Sequence, residues 1–260
     1  MRFAALVSFT ILFYSCSKVP ISQRRQMHLL KESTLIDMAA LQYANFMDSV
    51  NLLTTVDPRA KRIAVIGNKI KNAAIQFLEE NGYSHRVEGF QWEFITVEDP
   101  TLNAWCMPGG KVCFYTGLID LADNDDQLAA VMGHEVAHAI AKHGNERMSQ
   151  QLAIAGIHDL SGLNNESNAQ TNSIFNMVFM GSSQLGMLKF SRVHETESDK
   201  MGLVFMKLAG YEPTEAIAFW EKMSTQGAHV PEIISTHPSD SRRMKDISDF
   251  IENELDNYVN

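Results

Sequence analysis

A mostly helical α+β fold with one small β-sheet is what this sequence predicts, and three observations carry it. Apolar residues recur at helical spacing over most of the chain. Strand-like alternation is confined to residues 91–98 and to a hairpin over 102–107 and 111–116. Apolar content of 45% beside charged content of 20% describes a globular protein and not a disordered one.

Taken in order, Arg2 is followed by an apolar run from Phe3 to Tyr14 and then by Ser15-Cys16-Ser17. That run is too short to span a bilayer and reads as a secretory signal over residues 1–15. Its Ser15-Cys16 end resembles a bacterial lipoprotein signal, which implies cleavage before Cys16 and acylation of that residue. Phe13 and Tyr14 depart from the usual residues there, and an ordinary signal peptide cleaved nearby is the alternative. Residues 16–30, with Pro20, read as a polar tether, and a single domain follows over 31–260.

Leu35, Met38, Ala39, Phe46 and Leu53 mark a helix over 33–55. Asp57-Pro58 starts a second helix that runs to Glu80 and closes at Asn81-Gly82. The hairpin is expected to turn at Gly109-Gly110, which sets Cys106 opposite Cys113; a cross-strand disulfide and a pair of buried thiols both fit. An acidic first turn, Asp123 to Asp126, opens a helix over 125–143 whose apolar stripe is Leu128, Val131, Met132, Val136 and Ile140. Gly133 is its one interruption, a place where another element can approach closely. Residues 160–173 read as a polar loop, and helical patterns resume at 174–187, 192–209, 213–225 and 239–258.

The net charge is −9 and basic residues cluster no further than pairs such as Arg24-Arg25 and Arg242-Arg243. That argues against nucleic acid as a partner and leaves no polybasic patch for anionic lipid. The chain shows no repeat of solenoid period.

The chemistry concentrates in Gly133-His134-Glu135-Val136-Ala137-His138. On a helix, His134 and His138 project from one face and can hold one Zn²⁺, with Glu135 beside them to take a proton from the attacking water. Two surface histidines with a neighbouring Glu are the plainer alternative, so the third ligand decides. A metzincin would carry His ten residues after the first; Gly144 stands there, and Ala141 holds the position of its Gly. His143 is about 180° round the helix from His134 and reads as a C-terminal cap.

The other large class takes a Glu from a later helix. In Ser191–Lys200, Glu195 and Asp199 lie one turn apart on one face, a geometry suited to a carboxylate ligand and an acid that anchors a ligand imidazole. Glu197 points elsewhere and reads as a solvated charge. Spacing alone leaves an exposed polar face equally open for this stretch.

Ser191-Arg192-x-x-Glu195-x-Glu197-x-Asp199 together with His134-Glu135-x-x-His138 resembles the M48 family of zinc metallopeptidases, in its bacterial lipoprotein branch. Val19-Pro20-Ile21, Arg24-Arg25-Gln26, Asn103–Gly110, Tyr115-Thr116-Gly117-Leu118, Ala209-Gly210-Tyr211-x-Pro213 and Ser235-Thr236-His237-Pro238 extend the likeness over most of the chain. Ser198, where Ala is common, and Cys106 and Cys113, where aromatics are frequent, depart from it. The resemblance implies a gluzincin-type domain, with its small sheet and hairpin beside the active-site helix. It implies one Zn²⁺ on His134, His138 and Glu195, Asp199 behind the ligands, and His237 and Arg243 as active-site groups near the metal. A helix-capping role is the alternative for His237. The implied activity is endoproteolysis of unfolded or misassembled envelope proteins, with the substrate strand lying along Asn103–Met107 and so against Asn103 and Ala104. Polypeptides, a bilayer reached through acylated Cys16, and envelope assembly machinery are the implied partners; the implied location is the periplasmic face of a membrane, the outer one favoured. The rival reading is a lipid-anchored chaperone whose protease site is secondary or self-inhibited by His237 or the 160–173 loop.

Overall fold

The computed structural model describes residues 16–154, 169–180, 190–225, 237 and 241–259. The expected signal over 1–15 and most of the 160–173 loop lie outside them; residues 169–173 belong to a helix.

The stretch expected as a polar tether carries ordered structure. Strand β1 (Cys16–Lys18) pairs antiparallel with β2 (Arg25–Met27), and Val19 and Gln26 are buried. Gln26 is buried because it is paired: it reaches Glu146, as does the half-buried Arg24, while the buried Arg86 guanidinium donates to the Lys18 carbonyl and to Ser17 Oγ.

Helix α1 (Glu32–Met47) ends earlier than the sequence predicts. Past Asp48 the chain extends, with Leu53 N–H donating to the Thr96 carbonyl at 2.9 Å. The β-branched Thr54, Thr55 and Val56 disfavour a helix there. Helix α2 (Pro58–Glu80) has the expected bounds, with Asp57 accepting from Arg59 N–H and Pro58 in the first turn.

The sheet is β3 (Glu93–Val97), β4 (Ala104–Met107) and β5 (Lys111–Tyr115) in the order β3-β5-β4; β5 runs parallel to β3 and antiparallel to β4. Here the hairpin expectation is corrected. Three residues, Pro108-Gly109-Gly110, form the turn, with both glycines at positive φ. The longer turn moves the register by one, so Cys106 faces Val112 and Cys113 faces Trp105. Adjacent register positions point to opposite faces, and both cysteines are free thiols.

Helix α3 (Thr116–Leu121) leads to α4 (Asp125–Ile140), capped by Asn124 accepting from Gln127 N–H at 2.9 Å. Helix α4 stops before the expected 143, because Lys142 adopts φ 58° and the chain restarts as α5 (His143–Ile154). Then come α6 (Ala169–Phe175), which continues as a π-turn over Asn176–Met180, α7 (Arg192–Leu208), α8 (Glu215–Ser224) and α9 (Ser241–Asn253), followed by a 3₁₀ turn over Leu255–Tyr258.

Helix α4 is the axis of the molecule: residues 127–140 are all buried. Its apolar side chains join those of α2, α7 and α8 and the Ala104-Val112-Phe114 face of the sheet in the main core. A second cluster, around Leu35, Tyr43, Leu152 and Phe175, packs on the other face of the sheet, where Trp105 meets Tyr43 and Phe46 edge-on. Helices α4 and α7 touch through backbone. A Cβ at Gly133 would lie 2.8 Å from the Gly202 carbonyl oxygen, and one at Gly202 2.9 Å from His134 N. Two glycines therefore set how close the helices come, and with them the residues that follow.

Candidate metal centre and active site

On α4, His134 and His138 sit one turn apart and expose their Nε2 atoms to α7 and to His237. The two Nε2 atoms are 3.1 Å apart. Glu195, in the first turn of α7, places Oε2 at 3.5 Å from His134 Nε2 and Oε1 at 3.4 Å from His138 Nε2. His237 closes the group, with Nδ1 at 3.1 Å from His134 Nε2 and 3.0 Å from Glu195 Oε1. One ligand atom from each of these four buried residues lies within 4.8 Å of all the others.

The donor set fits a metal ion. A tetrahedral ion with bonds of about 2.0 Å spaces its ligand atoms about 3.3 Å apart, close to the separations here. Two imidazole nitrogens turned toward each other need a cation or a proton between them. Glu195 Oε2 and Glu135 Oε1 are buried and make no hydrogen bond among the described residues.

The surroundings tune these groups. Burial alone would push Glu195 up, yet His237, Arg243 and the two ligand histidines hold it well below the usual carboxylate range. Burial pushes Glu135 up, opposed by His237 and His134. Burial drives His138 well down; in His134 the same effect is outweighed by Asp199 and Glu195, which lift it to about 9. The proton on His134 in the metal-free protein is thus one a metal must displace.

Asp199, one turn after Glu195, accepts from His134 Nδ1 at 2.9 Å. Arg243 on α9 grips Asp199 through Nε and Nη2 at 2.8 and 2.7 Å, reaches Glu195 Oε2 at 3.3 Å, and lies 3.9 Å over the Trp220 ring. Glu135 turns to the open side, where His237 Nε2 stands 3.6 Å from its Oε1. A cavity of about 140 Å³ opens there, lined by Asn103, Ala104, Trp105, Glu135, His138 and His237 among others.

Strand β4 forms that cavity's wall and is the edge of its sheet. Tyr115 N–H donates to the Asn103 carbonyl at 3.1 Å, so antiparallel alternation turns the peptide groups of Ala104 and Cys106 outward. Asn103 Oδ1 accepts the Ala104 N–H at 2.9 Å.

The structure thus brings His134, Glu135, His138, Glu195, Asp199, His237 and Arg243 to one place, with Asn103 and Ala104 beside them. Cys16 stands apart, at the start of β1. Two readings are corrected. Glu197 is not a solvated charge: it is 4% exposed, accepts from His143 Nε2 at 2.9 Å and from Arg24 Nε and Nη2 at 2.8 and 2.9 Å. His143 is not a helix cap, because the left-handed Lys142 swings it back until its Nδ1 lies 3.0 Å from His138 Nδ1. The one sequence signal for the latter was the ending of the apolar stripe at Ile140.

A His-Glu-x-x-His helix crossed by a second helix that presents a Glu defines a metallopeptidase of the gluzincin type. The model of peptidase family M48 matches residues 60–251, and the chain belongs to that family. Similar proteins include the mitochondrial metalloendopeptidase OMA1 of Saccharomyces cerevisiae, 30% identical over 93% of this chain and 73% of the relative. OMA1 of Schizosaccharomyces pombe is 29% identical over 96% and 71%. The beta-barrel assembly-enhancing protease of Escherichia coli K12 is 28% identical over 60% of this chain and 33% of its own length. Among the described residues no helix is long and apolar enough to cross a membrane.

Proposed function

We propose that the protein is a zinc-dependent metalloendopeptidase that cleaves extended or unfolded polypeptides. The observation that carries this is the convergence of His134, His138, Glu195 and His237 within 4.8 Å, beside the buried Glu135 Oε1, which makes no hydrogen bond among the described residues. His134, His138 and Glu195 would hold the ion. When bound there, zinc supplies Lewis acidity that polarises a peptide carbonyl and makes a water acidic near neutral pH. Glu135, raised by burial, accepts the proton of the attacking water and returns it to the leaving nitrogen. Arg243 and His237 stand where they can offset negative charge building on the carbonyl oxygen. A substrate strand adding to the outward Ala104 and Cys106 peptide groups would bond through backbone, which reads little sequence and suits unfolded clients.

The leader and Cys16 support a lipid-anchored protein of the bacterial envelope acting in quality control, and the similarity to a beta-barrel assembly-enhancing protease of E. coli is in keeping with that. The relatives named as mitochondrial favour no bacterial compartment. A second reading rests on His237: its Nδ1 lies 3.1 Å from His134 Nε2 and 3.0 Å from Glu195 Oε1, where it would be a fourth ligand in a self-inhibited resting enzyme. In that form the protein would work chiefly as a binding factor until a client displaces the imidazole.

The test is metal content and casein cleavage by the mature protein, with and without chelator. Wild type should hold one zinc and cleave. Glu135→Gln should hold the zinc and not cleave, and retained cleavage would sink the mechanism. Cleavage unchanged in His237→Ala would remove the resting-state reading.

A further inference from the structure

Each ligand imidazole is backed by an arginine-paired carboxylate, but the two are backed differently. Behind His134 stands Asp199, gripped by Arg243. Behind His138 the path is longer: His138 Nδ1 meets His143 Nδ1 at 3.0 Å, His143 Nε2 meets Glu197 Oε2 at 2.9 Å, and Glu197 is held by Arg24. Ser198 Oγ also lies 3.3 Å from His143 Nδ1. We propose that His143 and Glu197 are positioning residues for His138, and that Arg24, carried by the N-terminal segment, locks them in place.

The hydrogen-bond logic runs one way. If His138 turns the Nε2 lone pair to the metal, as the function proposed above requires, Nδ1 carries the proton and needs an acceptor. His143 Nδ1 accepts it, which leaves the proton of His143 on Nε2, and that N–H donates to Glu197. Glu197 thereby fixes both tautomers, and the Ser22 hydroxyl, 175 residues away in the chain, donates to it at 2.5 Å. His143 and Glu197 are both buried, so neither finds a substitute partner in water.

Arg24 joins this path to the N-terminus. Its guanidinium bonds Glu197 at 2.8 and 2.9 Å and Glu146 at 2.7 and 2.7 Å. Arg86 holds the same segment while donating to the Ile140 carbonyl, at the end of the helix that carries His138. The N-terminal segment is therefore part of the metal site's scaffold, and its displacement would loosen His138.

Zinc affinity of the purified full-length protein, by competition with a chromophoric chelator, tests this, with the Tm of each metal-free variant as the check on folding. Glu197→Ala should weaken zinc by about 10- to 100-fold. Glu197→Gln keeps an oxygen for His143 Nε2–H and should stay within about threefold of wild type. Arg24→Ala, at a half-buried position, should weaken zinc about three- to tenfold. Glu146→Ala is the comparison: it breaks the other half of the Arg24 pairing and frees His194 Nε2, so it should lower Tm, but it leaves the Glu197–His143–His138 hydrogen bonds themselves in place, so zinc affinity should fall far less than in Glu197→Ala. Wild-type affinity in both Glu197→Ala and Arg24→Ala would overturn the proposal, as would an equal loss in Glu146→Ala. A wild-type protein that binds no zinc would instead overturn the function on which it rests.

Discussion

Gly133→Ala should weaken metal binding more than it weakens the fold. The added Cβ would stand 2.8 Å from the Gly202 carbonyl oxygen and 3.2 Å from its Cα. Favourable carbon–oxygen contacts begin at about 3.3 Å, so α4 and α7 must part by roughly half an ångström. Neither partner can swing aside, because both are backbone. His134 is the next residue on α4, and Glu195 lies two turns before Gly202 on α7, so the separation passes directly into the ligand set. Metal–ligand bonds tolerate about 0.2 Å. The His134–Glu195 and His138–Glu195 separations, now 3.5 and 3.4 Å, would open beyond that. The expected loss of zinc affinity is at least about tenfold, or roughly 1.4 kcal/mol. Overpacking costs about 1–3 kcal/mol, and replacing a helical glycine returns about 1 kcal/mol, so metal-free Tm should fall by less than about 8 °C. Gly67→Ala is the comparison: its Cβ would strike the Phe94 ring at 2.3 Å, far along the chain from any ligand. It should lower Tm and leave the affinity alone. Chelator competition reads both. Wild-type zinc affinity in Gly133→Ala, or an equal loss in Gly67→Ala, would refute the argument that this helix crossing sets the site.

Arg243→Ala removes the clamp on Asp199 and the cation over Trp220; both zinc affinity and kcat should drop, the former by about tenfold, measurable by competition and casein cleavage. Stripping the metal should lower Tm, since ligand binding to the folded state alone adds stability, and restoring zinc should return it; a scan that is blind to chelator contradicts the metal site. His28 is pushed down to about 4 by burial and by Arg86 and Lys142. The folded state then resists its protonation, so stability is full above its ordinary value of 6.5 and is lost as pH falls from there toward about 4, by at most roughly 3 kcal/mol. A His28→Gln variant should flatten the fall in Tm between those pH values, and an unchanged slope would assign the acid loss elsewhere. With Cys106 and Cys113 on opposite faces of the sheet, Tm should be indifferent to reductant, and mass spectrometry of the alkylated, unreduced protein should find both thiols blocked.

The metal ligands were legible in the sequence because helical spacing is local. His134 and His138, or Glu195 and Asp199, share a face whatever else the chain does. Other features depended on a single residue of geometry. A turn of three residues rather than two turns the side chains of one strand to the opposite face relative to the other's, and nothing in Pro108-Gly109-Gly110 distinguishes the two counts in advance. One left-handed lysine turns His143 from a continuation of α4 into a partner of His138. Glu197 was misread for a different reason: two residues from Glu195 on a helix it must face elsewhere, and an acid facing elsewhere is usually in water. What covers that face is the segment around Arg24, which composition presents as solvent-loving.

That misreading has a general cause. Polarity in a sequence marks groups that need partners, and water is only the commonest one. Arg24, Gln26, Glu146 and Glu197 satisfy each other, which lets a polar N-terminus pack as closely as an apolar one would. Replacing these residues with apolar ones of similar volume could leave the fold as stable. It could not leave His143 an acceptor-matched neighbour, because the Nε2 proton of His143 requires Glu197 or an equivalent oxygen. The cluster is therefore better explained by the orientation it imposes on a ligand imidazole than by the stability of its ion pairs.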